Sequence, residues 1–367
     1  MSNTLRTLHI RGDSHAMGLA HGEEFAAEIR SFAEQRMQLC LALPTDGPTL
    51  TRDVVLADVA ACVPYHERYA PEAMAEMRGI AHASGLSIEE VIILSGFTDI
   101  VDLLGAQHAL SQAAASAPVD DCTAFVVSPQ ASEGPGPYIG QTWDMNREAS
   151  PYVLMLRAEP HDGPNYLTMT VTGCVAMIGM NDAGIAVGIN NLSATNGTPG
   201  VNWTVVVRRA LSQEKIEEAI ATIVEAPLAG GHNFYLADSH GRCVNIEAMP
   251  GKHFLEEIRT GAFVHTNHCL SPHTRSVESL PDAYSASSTH HRHQRATELL
   301  SRDLISVSDL VALTRDHSAN PGVCVHVGPG NVNNIESSAA IIMSPVTGEL
   351  WAVKGNPCLG EYEHLVL

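Results

Sequence analysis

Val119-Asp120-Asp121-Cys122-Thr123-Ala124-Phe125-Val126-Val127-Ser128 marks the point at which the hydrophobic period of the chain changes. Before it, apolar residues recur at helical intervals; after it, they recur at about every second position for roughly 70 residues. Segments 123–128, 138–145, 152–158 and 166–172 are rich in Val, Tyr, Thr and Leu and are divided by turn residues, which predicts strands. Met180-Asn181-Asp182-Ala183-Gly184, between apolar runs at 174–178 and 185–189, predicts a tight hairpin with Gly184 at positive φ.

Upstream, Asp13 offers an N-cap side chain to a run in which Leu19, Phe25, Ile29, Phe32 and Met37 share one face, so a helix is expected over 16–41. Further helices are expected over 54–69, 71–84 and 87–94, the last opened by Ser87 and Glu90 as a capping box. Residues 107–118 are small and polar and predict an exposed, mobile linker. Downstream, helices are expected over 204–224, 291–300 and 306–315, and strands at 233–237, 243–248, 262–266, 339–343 and 350–353. Runs of strands, then helices, then strands predict an α+β layered fold with an antiparallel sheet, not alternating βαβ units. The chain divides into a helical segment 1–121, with its linker at about 107–121, and a β-rich part 122–367.

Composition narrows the function classes. Of 367 residues, 45% are hydrophobic and 17% charged, which suits a globular protein. A net charge of −20, from 21 Lys and Arg against 41 Asp and Glu, repels a phosphate backbone, so no nucleic-acid partner is expected. No apolar run approaches the roughly 20 residues of a membrane span, and the first residues lack a signal-peptide pattern, so a soluble, cytoplasmic protein with no membrane partner is expected. The eight cysteines have no C-x-x-C spacing and read mostly as buried thiols.

Cys122 asks for a different explanation. A free thiol has a pKa near about 8.5 and needs a base to become a nucleophile at neutral pH. If the Asp121–Cys122 bond were cut, the new α-amino group, with a pKa of about 7.7 to 8, would supply that base. A buried structural cysteine is the plainer alternative.

The sequence resembles the acyl-coenzyme A:6-aminopenicillanic acid acyltransferase-like family of the N-terminal nucleophile hydrolases over nearly its whole length. The motifs that carry the resemblance are His15-Ala16-Met17-Gly18-Leu19-Ala20-His21-Gly22, Asp121-Cys122-Thr123, Gly140-Gln141-Thr142-Trp143-Asp144, Gly179-Met180-Asn181-Asp182-Ala183-Gly184-Ile185, His265-Thr266-Asn267-His268 and the Arg-containing segment 287–295. The resemblance implies an αββα sandwich, two antiparallel sheets between helical layers. It implies that Asp121, Cys122 and Thr123 form the autoproteolysis site, and that Cys122 then attacks a small N-acylated substrate through a thioester. The product would be an associated α/β heterodimer. Many family members have Gly before the cysteine; Asp121 departs from that form. On the same resemblance, Asp144 orients the new ammonium or holds a proton, Asn267 is the oxyanion amide, and Trp143, His265 and Arg292 are candidate substrate contacts, with Arg295 an equally good match for Arg292.

Nineteen histidines invite a metal reading, but no H-E-x-x-H occurs and no cysteine pair has zinc spacing, so no metal and no cofactor are expected. The leading expectation is an amide-bond hydrolase; acyl transfer to an amine shares every step up to the thioester. The competing readings are an uncut papain-type hydrolase with His265 or His268 as base, and a binding module that keeps the fold without turnover.

Overall fold

The computed structural model describes residues 4–108, 122–279, 283–318, 322–328, 331 and 334–367. A short strand β1 (Arg6–Gly12) leads into α1 (Ser14–Leu41), capped by the Asp13 side chain on the Ala16 N–H. Then follow α2 (Arg52–Ala60), α3 (Val63–Tyr69), α4 (Pro71–Ser84), α5 (Ile88–Ser95) and α6 (Phe97–His108), with the Ser87/Glu90 capping box present at α5. The β-rich part begins with β2 (Thr123–Val127), β3 (Tyr138–Asn146), β4 (Val153–Pro160), β5 (Tyr166–Val171), β6 (Ile178–Asn181) and β7 (Ile185–Leu192). Helices α7 (Trp203–Ala210) and α8 (Ile216–Val224) precede β8 (Gly231–Asp238), β9 (Cys243–Met249), β10 (Lys252–Glu257) and β11 (Ala262–His265). The chain closes with α9 (Pro272–Arg275), α10 (Ala283–Leu299), α11 (Val307–Thr314), β12 (Ile335–Ser344), β13 (Glu349–Lys354) and β14 (Glu363–Val366).

Two sheets result, an eight-stranded one in the order β1-β4-β5-β6-β7-β8-β9-β10 and a six-stranded one in the order β11-β2-β3-β12-β13-β14. Strands β2, β3 and β12 of the smaller sheet pack on β6, β7 and β8 of the larger. Helices α1, α7 and α8 cover the outer face of the larger sheet, and α10 and α11 cover that of the smaller, which gives the four layers expected. One apolar cluster fills the space between the sheets and beneath α1, α4 and α7; a second, around Phe125, Val127, Ile305 and Leu310, lies beneath α10 and α11.

Three expectations need correction. The sheets are not wholly antiparallel: β1 pairs with β4 in parallel, Arg6 opposite Leu154 and Ile10 opposite Ala158, so the helical N-terminal segment also supplies an edge strand. The hairpin strand expected over 174–178 starts only at Ile178, because Gly173 at φ 86 turns the chain just before. Of the linker expected over 107–118, Gln107 and His108 end α6, and 109–118 lie outside the described residues.

The His15–Gly22 motif is explained by packing. A Cβ on Gly18 would lie 1.9 Å from the Glu76 carbonyl oxygen, and one on Gly79 would lie 2.4 Å from that of His15, so α1 and α4 cross with backbones touching. His21 is fully buried beside this crossing, and its Nε2 accepts the Gly173 N–H at 3.0 Å, tying α1 to the loop before β6.

Candidate active site

Cys122 stands one residue before β2 and is fully buried. The β2–β3 register pairs Thr123 with Thr142 and Ala124 with Gln141, and one further step sets Cys122 across from Trp143. Side chains alternate along a strand, so Cys122, Ala124, Trp143 and Met145 join the inter-sheet core, while Thr123, Thr142 and Asp144 turn toward the outer helical layer.

From that layer, α10 sends in Arg292, whose side chain is fully buried. Its Nη1 donates to the Cys122 carbonyl at 2.7 Å and to Thr123 Oγ1 at 3.0 Å. Nη2 donates to Asn267 Oδ1 at 3.0 Å, and Nε to Ser288 Oγ at 3.1 Å, one turn back on the same helix. A rigid, planar fork of donors is what lets one side chain hold two chain segments at once. Arg295, its rival in the sequence, instead grips the Asp316 carboxylate through Nε at 3.0 Å and Nη2 at 2.8 Å at the surface. The geometry thus separates two arginines that the sequence left equivalent.

Asn267 follows β11, and its amide orientation is dictated by its neighbours. Oδ1 faces the donor-only guanidinium, and Nδ2 donates to the Asn191 carbonyl at 3.1 Å. The Asn267 N–H is held by Thr289 Oγ1 at 2.8 Å. Asp144 is buried, and its Oδ2 accepts from Thr142 Oγ1 at 3.2 Å, which in turn accepts the Thr123 N–H at 3.3 Å. The carboxylate therefore reaches the residue after Cys122 through a single hydroxyl.

Four residues that sequence reading did not single out complete the surroundings. The Tyr235 hydroxyl donates to Gln141 Oε1 at 2.7 Å, an oxygen that also accepts the Ile189 N–H at 3.0 Å. Burial, reinforced by the nearby Cys122 sulfur, holds the Tyr235 phenol well above its usual pKa, so it stays a neutral donor. Gly188 makes room for it: a Cβ there would lie 2.2 Å from the Tyr235 hydroxyl. Glu247, on β9, accepts from His265 Nε2 at 3.0 Å, from the Leu270 N–H at 2.6 Å and from Thr274 Oγ1. Burial alone would raise the Glu247 carboxyl, but these donors outweigh it and bring it below the usual range. Only Gln141 lies inside a motif; buried polar residues in otherwise apolar strands are the available signal for Tyr235 and Glu247, and a glycine inside an apolar strand is the signal for Gly188.

His265 is buried, with Nε2 on Glu247 and Nδ1 on the Thr266 carbonyl at 2.7 Å. His268 leans its Nδ1 on the Thr266 and Thr289 hydroxyls at 3.2 and 2.9 Å, and burial, followed by His290, His265 and His293, pushes its pKa down to about 3. Both His265 ring nitrogens and His268 Nδ1 are thus engaged by groups other than a thiol. Asp121 lies outside the described residues.

On the Cys122 side of β3, a cavity of about 20 Å³ is lined by Arg36, Phe97, Trp143, Met145, Met177 and Trp203 among others. Arg36 continues into a cleft of about 270 Å³ bordered by Phe32, Gln35, Leu39 and Asn146. Its guanidinium is sandwiched 4.7 Å from the Phe32 ring and 4.7 Å from the Phe97 ring. A larger cleft, about 650 Å³ between the start of α1, α4 and the end of β4, holds none of the candidate residues.

Residues 131–358 match the family model described as acyl-coenzyme A:6-aminopenicillanic acid acyl-transferase. The chain belongs to this family. The matched stretch takes in Asp144, Asn267 and Arg292 and begins after Cys122. The 40 kDa form of acyl-coenzyme A:6-aminopenicillanic-acid-acyltransferase of Emericella nidulans is 27% identical over 237 residues, 63% of this chain. The match spans 60% of that relative's length. Among solved structures, penicillin V acylase from Agrobacterium tumefaciens aligns with a TM-score of 0.45 and 13% identity over 67% of this chain and 86% of its own. A conjugated bile acid hydrolase from Clostridium perfringens aligns with a TM-score of 0.42 and 10% identity over 67% and 97%.

Proposed function

We propose that this family member is a self-processing cysteine amidohydrolase that acts on a small N-acylated amine. The observation that carries the reading is Arg292, which holds the Cys122 carbonyl and the Asn267 amide oxygen together. In the cut, Cys122 Sγ adds to the Asp121 carbonyl carbon, the C–N bond to Cys122 breaks as that nitrogen gains a proton, and water hydrolyses the thioester. The products are segments 1–121 and 122–367, the second headed by a free α-amino group. In turnover, that amine takes the thiol proton, sulfur attacks the substrate carbonyl, and the leaving amine receives the proton back. The amide proton of Asn267 not engaged by Asn191 is assigned to the oxyanion, a contribution of about 3 to 4 kcal/mol when preorganised. Asp144, acting through Thr142, fixes the start of β2, and His265 with Glu247 fixes the turn that carries Asn267.

Water completes hydrolysis; an amine acceptor in its place would make the enzyme an acyltransferase, as the name of the Emericella relative states for that protein. Among the described residues no disulfide joins any of the eight cysteines, which suits a reducing, cytoplasmic setting, and no helix is long and apolar enough to cross a membrane.

The test is a panel of N-acyl amides that varies both the acyl and the amine group, followed by amine release and by peptide mass mapping after an acid quench. The expected result is amine release with an acyl adduct on the peptide that begins at Cys122, both absent in Cys122→Ala. Turnover that persists in Cys122→Ala would overturn the reading.

A further inference from the structure

Outside this site, two overlapping trios of soft and imidazole donors, both containing His326 and Cys358, lie at the edge of the helical layer over the smaller sheet. Cys324 Sγ lies 3.6 Å from Cys358 Sγ, and His326 Nε2 lies 3.5 Å from the first sulfur and 3.2 Å from the second. Donor atoms of His317, His326 and Cys358 all lie within 4.8 Å of one another. Tetrahedral zinc, with Zn–S about 2.3 Å and Zn–N about 2.0 to 2.1 Å, requires S···S edges of about 3.8 Å and S···N edges of about 3.5 Å. The three observed edges fall close to those values. A disulfide would need the sulfurs at about 2.05 Å and would have no use for two imidazoles.

We propose that Cys324, His326 and Cys358, with His317 as the fourth ligand, form a structural zinc site. The proposal departs from the expectation of no metal drawn from the sequence. The sequence hides the site because its ligands come from three separate segments: His317 after α11, Cys324 and His326 in the loop before β12, and Cys358 between β13 and β14. Two thiolates and two neutral imidazoles neutralise the dication, and the donor set selects zinc over magnesium or calcium. Cys324 is buried while both histidines are exposed, so the site has an anchored floor and an open side for metal entry. Binding releases the two thiol protons to solvent, with no change of oxidation state.

The bridge fastens strand ends behind the active site. The Val325 N–H donates to Ser337 Oγ at 2.9 Å and the Ser337 N–H returns to the Val325 carbonyl at 2.9 Å; Ser337 is the cross-strand neighbour of Asp144. Asn356 Nδ2 donates to the Val325 carbonyl at 2.8 Å, and the Cys324 N–H to the Asp316 carbonyl at 2.8 Å, next to the carboxylate that holds Arg295. Zinc would lock this loop and the β13–β14 turn into one piece. The inference stands apart from the proposed chemistry at Cys122.

The test uses the full chain, purified under reducing conditions, stripped with a chelator and titrated with cobalt chloride, then with zinc chloride. The expected result is one cobalt per chain with the thiolate charge-transfer and intense d–d bands of a tetrahedral site, bleached by one equivalent of zinc. Cys358→Ser and His326→Ala, at half-buried and exposed positions, should weaken cobalt binding at least about tenfold. Cys122→Ala should leave the bands unchanged. A chain with no charge-transfer band, bands that survive in Cys358→Ser, or a Cys324–Cys358 disulfide about 2 Da lighter than the dithiol would each overturn the site.

Discussion

Two buried arginines stand on opposite sides of the sandwich and are used differently. Arg208, on α7 over the larger sheet, donates through Nε to the fully buried Glu76 carboxylate at 2.9 Å and stacks 4.6 Å from the Tyr166 ring. Burial raises the Glu76 carboxyl, and Arg208 offsets only part of that, so the pair is a structural tie whose charges need each other. Arg292, on α10 over the smaller sheet, spends its donors on a backbone carbonyl, two hydroxyls and the amide oxygen of Asn267. The helical layer over the larger sheet uses buried polarity to hold α4 to α7; the layer over the smaller sheet uses it to place the residues around Cys122.

The sharpest division between the layers comes from Cys122→Ala, which should abolish both self-cleavage and turnover while leaving the urea midpoint of the uncut chain in place. Arg208→Met leaves Glu76 buried without its cation and should cost about 3–5 kcal/mol of stability, read as a drop in the urea midpoint, with kcat of the folded fraction unchanged. Arg292→Lys keeps a charge but loses the fork; it should lower kcat about 100-fold with little change in KM and slow self-cleavage, whereas a purely structural role would move only the unfolding midpoint. Burial depresses His21 to about 4 from an ordinary 6.5. The unfolded chain therefore binds the proton first, so the stability contributed by neutral His21 is complete above pH 6.5 and is lost as pH falls toward 4. The loss is on the order of 3 kcal/mol, and His21→Gln should flatten it in urea titrations across that range. Arg295→Ala, one turn from Arg292 but at the surface, should cost no more than about 1 kcal/mol and leave kcat unaltered.

Much of this architecture is legible in the sequence. The switch of period at Cys122, the capping box at Ser87 and the Asp182-Ala183-Gly184 turn each report a local constraint, and local constraints survive in sequence. What is missed depends on distant neighbours. Strand β1 is short, with Leu8 and Ile10 its only apolar residues, and gains its role from β4, about 150 residues away. Helix α6 is masked because Asp99 and Asp102 sit on its buried face, where their carboxylates accept the N–H groups of Trp203, Ala194 and Gly231. At the site, motifs point to Cys122, Asp144 and Asn267, but Arg292 and Arg295 are alike until α10 is docked. Tyr235, Glu247 and Asn191 have no motif, since each is defined by what it touches across the fold.

The central claim, that Cys122 becomes the N-terminal nucleophile of its own chain, is tested most directly by denaturing intact-mass measurement of freshly purified protein beside Cys122→Ala. The account predicts segments 1–121 and 122–367, about 13 and 26 kDa of the 39.2 kDa total, in the unaltered protein and one uncut chain in the variant. A single mass near 39.2 kDa that persists through incubation in a protein that still hydrolyses N-acyl amides would contradict it.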